Sequence, residues 1–525
     1  MHLKASPPQV KPNAYEMPTT CPYGCGSQHY RRHSMKGERK AIRDIGYAEV
    51  RSYRYECVRY GRTFRVYPEG VSPGAQQSKR LQAMTVILYV LGLSYGAVED
   101  FTAAIGCGVS KTTVYNNVQA AGGVARQKQR HDVQEGGKRA VIGVDGTYMK
   151  VHGKSVGVEV VVDDKSGQLL GLEIVTGESY DEIIGVIRRV SEQVEAEVLV
   201  SDGHGAYNDV VDEIGAEHQI CQSHGKRNVD DSAKSLDKHL EHPEPLPEGV
   251  TLTPEQARED LERMQQVIRE RPQDGEEQLA AMYDRYKDVP APESKQRHSV
   301  WYRLRMMVTR PWERWWKFTL DQRRDDLDGT NNAAERLIGR WIKERYRTMR
   351  GYKREESIKN VVTLTAQSLA AYEAIVADDA LSAIQKWTRA VQVIGDWKIE
   401  RRAELLALAR AMQADENVLL RHKLATQAAQ VTTPELAKII AQGIAEGVFE
   451  TDYPEETAEI VHAISTAFSG TITGILLNPD GYDDPEALVR RKIEALQTAT
   501  ERVLGAAPGS LPVIDEQTLC AWFEK

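Results

Sequence analysis

The 525-residue chain is sparing with cysteine, aromatics and long apolar runs. It has six cysteines, 7% aromatic residues, and MTVILYVLGL (84–93) as its longest apolar stretch. Six cysteines in a chain this long do not make a disulfide framework. A bilayer span needs about 20 apolar residues, so that stretch is too short and no membrane partner is expected. The opening MHLKASPPQVKPN lacks the apolar core of a signal peptide, and a cytoplasmic location is expected. No internal repeat is found.

Charge of one sign is also missing overall, since the net is −8, but the distribution is uneven. From Glu373 onward there are 14 Lys+Arg against 24 Asp+Glu. The body before it is near neutral, with local basic stretches. The length is too great for one core, and roughly three or four domains are expected.

After an N-terminal tail, residues 21–67 carry CPYGC and RYECVRYGRTFRVY, with Tyr and Arg alternating at strand spacing. SPGAQQS (72–78) reads as a linker. Residues 79–123 have helical periodicity broken by GCGV (106–109), with Ser110 placed to cap KTTVYNNVQ. Two short helices about a glycine turn fit a helix-turn-helix, in which Lys111, Thr112, Tyr115 and Asn116 would meet DNA. An ordinary helical hairpin is the plainer alternative. Residues 138–232 alternate as β-β-β-α-β-α-β, a mixed sheet with helices on its faces. Residues 233–324 are charged and helical, with Thr253-Pro254 as one helix start, and after 371 the pattern is purely helical. Thr433-Pro434 and Asp484-Pro485 are expected to open two more helices.

The buried-looking strand AVIGVDGTYMKV (140–151) contains Asp145, an expensive placement for an ionised carboxylate unless something compensates it. Asp202 ends a second apolar strand, VLVSD, where α/β sheets commonly place functional groups. Glu335 lies at the edge of the apolar stripe of NNAAERLIGRWIKERYR, about one turn after Asn331 and Asn332. The flanking Arg336, Arg340, Lys343, Arg347 and Arg350 suit a phosphodiester backbone. Carboxylates gathered in this way bind Mg²⁺ or Mn²⁺ and support two-metal phosphoryl transfer. The plainer alternative makes the aspartates turn or cap residues and Glu335 a surface charge.

VDGTYMK, LVSDGHGAY and TNNAAERLIGRWIKERYRTMRGY together make residues 138–370 resemble prokaryotic insertion-sequence transposases of the DDE type. The resemblance implies an RNase H-like catalytic domain (138–232 and 325–370) with a helical insertion (233–324). It further implies Asp145, Asp202 and Glu335 as catalytic metal ligands, and DNA cleavage and strand transfer at transposon ends in a nucleoid-associated protein. HQICQSH adds Cys221 and His224, an auxiliary Cys-x-x-His pair of the kind seen in Mutator-like relatives; two ligands do not complete a tetrahedral zinc site, and the pair is equally suited to packing and hydrogen bonding near the acids. Cys21, Cys25 and Cys57 look like three ligands of a zinc ribbon (1–75), with Tyr60 where a fourth cysteine would stand; His29 or His33 could substitute. A helix-turn-helix would occupy 76–130.

RPWERWWKF puts Trp312, Trp315 and Trp316 on one helix face, as core or as a stacking platform for a displaced base. Residues 372–510 resemble the ligand-binding and dimerisation region of TetR-type repressors, most clearly in IAQGIAEGVFETDYPEETAEIV. That resemblance implies a homodimer or higher oligomer paired through helices 454–476 and 485–504, where Ala463, Ser465, Gly470 and Gly474 allow close packing. It also implies a small-molecule site lined by Trp387, Trp397 and Met412, although these side chains could simply fill the core. The expected architecture is therefore multidomain α/β plus all-α. The alternative function is a domesticated transposase acting as a ligand-responsive DNA-binding regulator.

Overall fold

The computed structural model describes all residues except 1–8, 34, 91, 176–179, 247–250, 292–298, 344–345, 347–351, 377–379, 401, 403–404, 407–408, 411–417, 515 and 524–525. Arg347, Arg350 and Met412 lie outside the described residues, as do the side chains of Arg340 and Trp397. The chain divides into two compact units, one of residues 1–127, 344–350 and 356–525, the other of 128–343 and 351–355.

The first unit opens with short strands: β1 (Lys11–Tyr15), β2 (Tyr30–Arg32), β3 (Glu38–Ala41), β4 (Glu49–Cys57), β5 (Thr63–Val66) and β6 (Pro68–Glu69). β4 is the hub, pairing antiparallel with β2, β3 and β5. Helices α1 (Lys79–Val90), α2 (Tyr95–Ala104) and α3 (Lys111–Glu135) follow. Ser78 caps α1 through Leu81 N and donates to the buried Asp44, which also pairs with Arg80 at 2.5 Å. Val98, Phe101, Val109 and Val114 make the small core of the helical pair. α3 is far longer than the short second helix read from KTTVYNNVQ. The Gly122-Gly123 pair does not break it, because Gly122 serves a close approach: a Cβ there would stand 2.5 Å from the Asn360 side chain.

The second unit holds β7 (Val141–Val151), β8 (Lys154–Asp163), β9 (Leu169–Val175), α4 (Tyr180–Val194), β10 (Val198–Ser201), α5 (Gly205–Ile214) and β11 (Glu217–Ile220). The sheet order is β11-β10-β7-β8-β9. β7, β8 and β9 are antiparallel neighbours, while β10 runs parallel to both β7 and β11. α4 buries Val186, Ile187 and Val190 against Ile142, Val144, Val161 and Leu199, at about 1.5–3 kcal/mol per fully buried side chain. Gly171 lets α4 come close, since a Cβ there would stand 2.7 Å from Val190.

Between β11 and the return to the sheet lie α6 (Gln222–His239), α7 (Pro254–Glu270), α8 (Gly275–Tyr286), α9 (Val300–Glu313) and α10 (Trp315–Phe318). They share a core that includes Leu236, Met264, Leu279, Trp301 and Phe318. Thr253 and Gln256 form a reciprocal cap on α7 with Pro254 in the first turn, as the sequence indicates. The three tryptophans do not share one helix face. The helix breaks at Arg314, so Trp315 is buried, Trp316 is 46% exposed, and Trp312 stacks on Tyr283 at 4.7 Å.

α11 (Asn332–Leu337) then runs into a wider helical turn at 338–343. The last helices are α12 (Glu355–Val376), α13 (Ala383–Glu400), α14 (Val418–Ala445), α15 (Pro454–Leu477), α16 (Pro485–Leu504) and α17 (Glu516–Phe523). Pro434 does not open a helix: it lies inside α14. Asp484 does cap α16, accepting from Ala487 N at 2.9 Å. Among the described residues α15 is the one helix long and apolar enough to cross a membrane by length and composition. Its exposed positions include Ile460, Ala463 and Gly470.

Candidate active site

Asp145 and Asp202 are carried by adjacent strands. β10 runs parallel to β7 with Val200 opposite Gly143, so Asp202, just past the end of β10, lies toward the same end as Asp145. Glu335 lies near enough for its charge to raise the Asp145 carboxyl, and the start of its helix α11 is tied to the sheet. Asn331 is fully buried; its Nδ2 donates to Val144 O at 2.7 Å and its backbone N–H donates to Cys221 Sγ at 3.3 Å. Gly143 makes room for this, as a Cβ there would lie 2.6 Å from Asn331 Oδ1. Glu335 follows one turn later, its N–H donating to Asn331 O. Asn331 is thus engaged by the protein, while Asn332 is exposed.

The site carries uncompensated negative charge. Burial pushes the Asp145 carboxyl up to about 6; the charges of Asp202 and Glu335 add to this, and the Gly146 N–H and His224 oppose it. Asp202 Oδ1 accepts from His204 N at 2.8 Å. His224 Nδ1 lies 3.2 Å from Glu335 Oε1. The Cys221 thiol holds the His224 pKa above its ordinary value, against burial, with Glu335 and Asp145 adding. Carboxylate oxygens form the donor set of Mg²⁺ and Mn²⁺, and a divalent cation would relieve the strain on Asp145, so these residues fit such an ion.

One acid was missed in the sequence. Glu159 stands opposite Gly146 in the β7–β8 ladder, buried, accepting from Tyr207 Oη at 2.8 Å. Burial raises its carboxyl to about 7, with Asp145 and Asp202 adding. The signal was the one that exposed Asp145, a lone acid in an apolar strand (VGVEVVVDD).

Among the described residues, two groups bring metal-ligand atoms within 4.8 Å of one another: Cys21, Cys25 and Cys57, and Cys221, His224 and Glu335. Asp145, Asp202 and Glu335 are not gathered that tightly. In the first group Cys25 and Cys57 are 3.5 Å apart, and neither His29 nor His33 joins them. Burial works against the Cys57 thiolate, but the Tyr60 N–H and the neighbouring thiols bring its pKa down to about 7. Tyr60 is exposed, with Arg62 over its ring and over Tyr23.

At the start of α3, Lys111, Thr112 and Asn116 are exposed and Val114 and Val118 are buried. Tyr115 is half-buried, its hydroxyl 3.0 Å from Ser357 Oγ and its ring edge-on to Tyr95. Arg336 is half-buried and Lys343 exposed.

A family model described as Transposase IS66 family matches residues 74–359, more than half of the chain. The chain belongs to the IS66 transposase family. The match runs from the linker before α1 past Glu335 and so contains Asp145, Asp202, Cys221, His224 and Glu335. DNA binding and recombination follow for an IS66 transposase as its general field of action. A second model, Tetracyclin repressor-like, C-terminal domain, matches residues 406–471, so this transposase carries a TetR-like region. No curated protein matches the chain.

The C-terminal helices of the transposase line a half-open pocket of about 700 Å³, with Val391, Lys398, Leu406, Leu476, Ile493 and Trp522 among its walls. Trp387 is not part of the lining; it is buried and donates from Nε1 to Pro512 O at 2.9 Å.

Proposed function

We propose that this IS66 transposase performs metal-dependent DNA cleavage and strand transfer at transposon ends, with Asp145, Asp202 and Glu335 as its catalytic metal ligands. The observation that supports this reading is the placement of two aspartates toward one end of adjacent parallel strands, with a glutamate whose helix start is bonded to the same sheet. The order β9-β8-β7-β10-β11, three antiparallel strands followed by two parallel ones, is the reason we regard residues 138–232 and 325–370 as RNase H-like, with 233–324 as a helical insertion. Asp145, Asp202 and Glu335 would hold Mg²⁺ or Mn²⁺, which would supply activation of a water or 3′-hydroxyl and charge stabilisation of the leaving oxygen. The chain's own part is to hold the three carboxylates at fixed points and to set cations against the phosphodiester, with Arg336, Arg340 and Lys343 the first basic residues after Glu335.

Residues 76–130 would bind the terminal repeats through Lys111, Thr112 and Asn116. Residues 1–75 would hold zinc at Cys21, Cys25 and Cys57, completed by a water or another ligand. Residues 372–510 would dimerise through α15 and α16, whose exposed apolar positions include Ile460. Full-length protein, labelled end DNA and Mg²⁺ provide the test: nicking that is lost in Asp145→Ala, Asp202→Ala and Glu335→Gln supports the reading. The C-terminal cavity favours a second reading, a ligand-responsive regulator. DNA binding without any metal-dependent nicking would select that one.

A further inference from the structure

Cys221, His224 and Glu335 lie together for reasons of chain geometry that the carboxylate chemistry does not need. Cys221 is fully buried and occupies the N-cap of α6. The Asn331 N–H points at its sulfur at 3.3 Å, the kind of supporting bond that a metal-bound thiolate receives. His224 sits one turn along the same helix, with a buried Nδ1 that has no hydrogen-bond partner among the described residues. It is nevertheless 3.2 Å from Glu335 Oε1, which in turn is 3.9 Å from Cys221 Sγ. Ligands around a tetrahedral zinc stand roughly 3.5 Å apart, given zinc–ligand distances of about 2.0–2.3 Å. These separations bracket that value, and one sulfur, one nitrogen and one oxygen leave a fourth position for water. Mg²⁺ does not take thiolate or imidazole in this way, so the trio discriminates by chemistry.

We infer that Cys221, His224 and Glu335 form a zinc site that shares one carboxylate with the catalytic centre, so that bound zinc withdraws Glu335 from Mg²⁺. The site itself stands on the geometry above; its effect on turnover rests on the catalytic reading of Glu335.

Cobalt(II) replaces zinc and reports sulfur ligation by a charge-transfer absorption. The experiment is a cobalt titration of full-length protein carrying Cys57→Ser, which removes the N-terminal thiol cluster from the signal. One equivalent of thiolate-bound cobalt is expected, displaced by zinc, lost on adding Cys221→Ser and weakened at least tenfold on adding His224→Ala. A signal unchanged by Cys221→Ser, or none in the Cys57→Ser protein, overturns the site. If Cys57→Ser does not fold, wild type and Cys221→Ser are compared: one fewer thiolate-bound cobalt supports the site and an equal number overturns it. Mg²⁺-dependent nicking with and without zinc tests the regulation. Inhibition that needs at least tenfold more zinc in His224→Ala supports it, and zinc-insensitive nicking by a wild type that binds cobalt overturns it. Absence of all nicking refutes the catalytic reading, while the cobalt signal still decides the site.

Discussion

In the five-stranded sheet, Ile142, Val144, Val160, Val161 and Leu199 are completely shielded from solvent, and the acids among them are held by named bonds. The helices from Ala383 onward instead line a half-open pocket of about 700 Å³ and leave Val393, Ile394 and Ile460 exposed. The first region uses apolar burial to fix charged groups in place. The second keeps internal room and open faces, a form suited to something outside the chain, whether a small molecule or a second copy. Dense packing and reserved space are thus divided between the two parts of one polypeptide.

The sharpest way to break this contrast is at the charges themselves. Asp145→Ala or Asp202→Ala should lower Mg²⁺-dependent nicking by ~10³-fold or more, about 4 kcal/mol of barrier. Gel-shift affinity for end DNA should be largely kept; equal loss of binding would show that the acids are structural. Next in size is packing. Leu199→Ala in the sheet should cost about 2–5 kcal/mol in denaturant unfolding of the unit that holds the five-stranded sheet. Leu476→Ala, on a cavity wall that is already half-open, should cost about 1 kcal/mol or less. Equal penalties would erase the distinction.

Glu159 gives a pH test. Its folded pKa of about 7 lies above the ordinary value of 4.5, so the folded protein holds the proton more tightly than the unfolded chain. The stability this provides is complete below pH 4.5 and is lost as pH rises toward 7, a fall of order 3 kcal/mol. Glu159→Gln should flatten that slope in thermal or urea unfolding; an unchanged profile would remove Glu159 from the account. Smaller again, Gly143→Ala should force Asn331 away from the sheet, costing about 1–3 kcal/mol and lowering nicking through Glu335.

Legibility followed the same division. Asp145 showed itself because a charge in an apolar strand needs a reason, and Asp202 because it closes another. The helix stripe around Glu335 put the third acid at an edge. The alternation of the three hairpin strands was likewise local and readable. Glu159 carried the same anomaly but drew no notice, since its partner Tyr207 lies on a helix further along the chain. Gly122-Gly123 conveyed no sign that α3 continues, because the reason is contact with Asn360. Pro434 read as a helix start for want of any local mark that α14 already ran through it. The cavity was the least readable feature: its wall joins Val391 to Trp522, and no local pattern unites them.

The start and finish of the helical excursion between the last strand and α11 are joined by hydrogen bonds: Gln222 N donates to Gly329 O, and Asn331 N to a sulfur 110 residues earlier. Closing so large a loop has an entropic cost that only finished tertiary structure repays. Glu335 is therefore placed against the sheet by bonds that span the whole excursion. A chain cut short within the excursion would keep Asp145 and Asp202 on the sheet and lack Glu335.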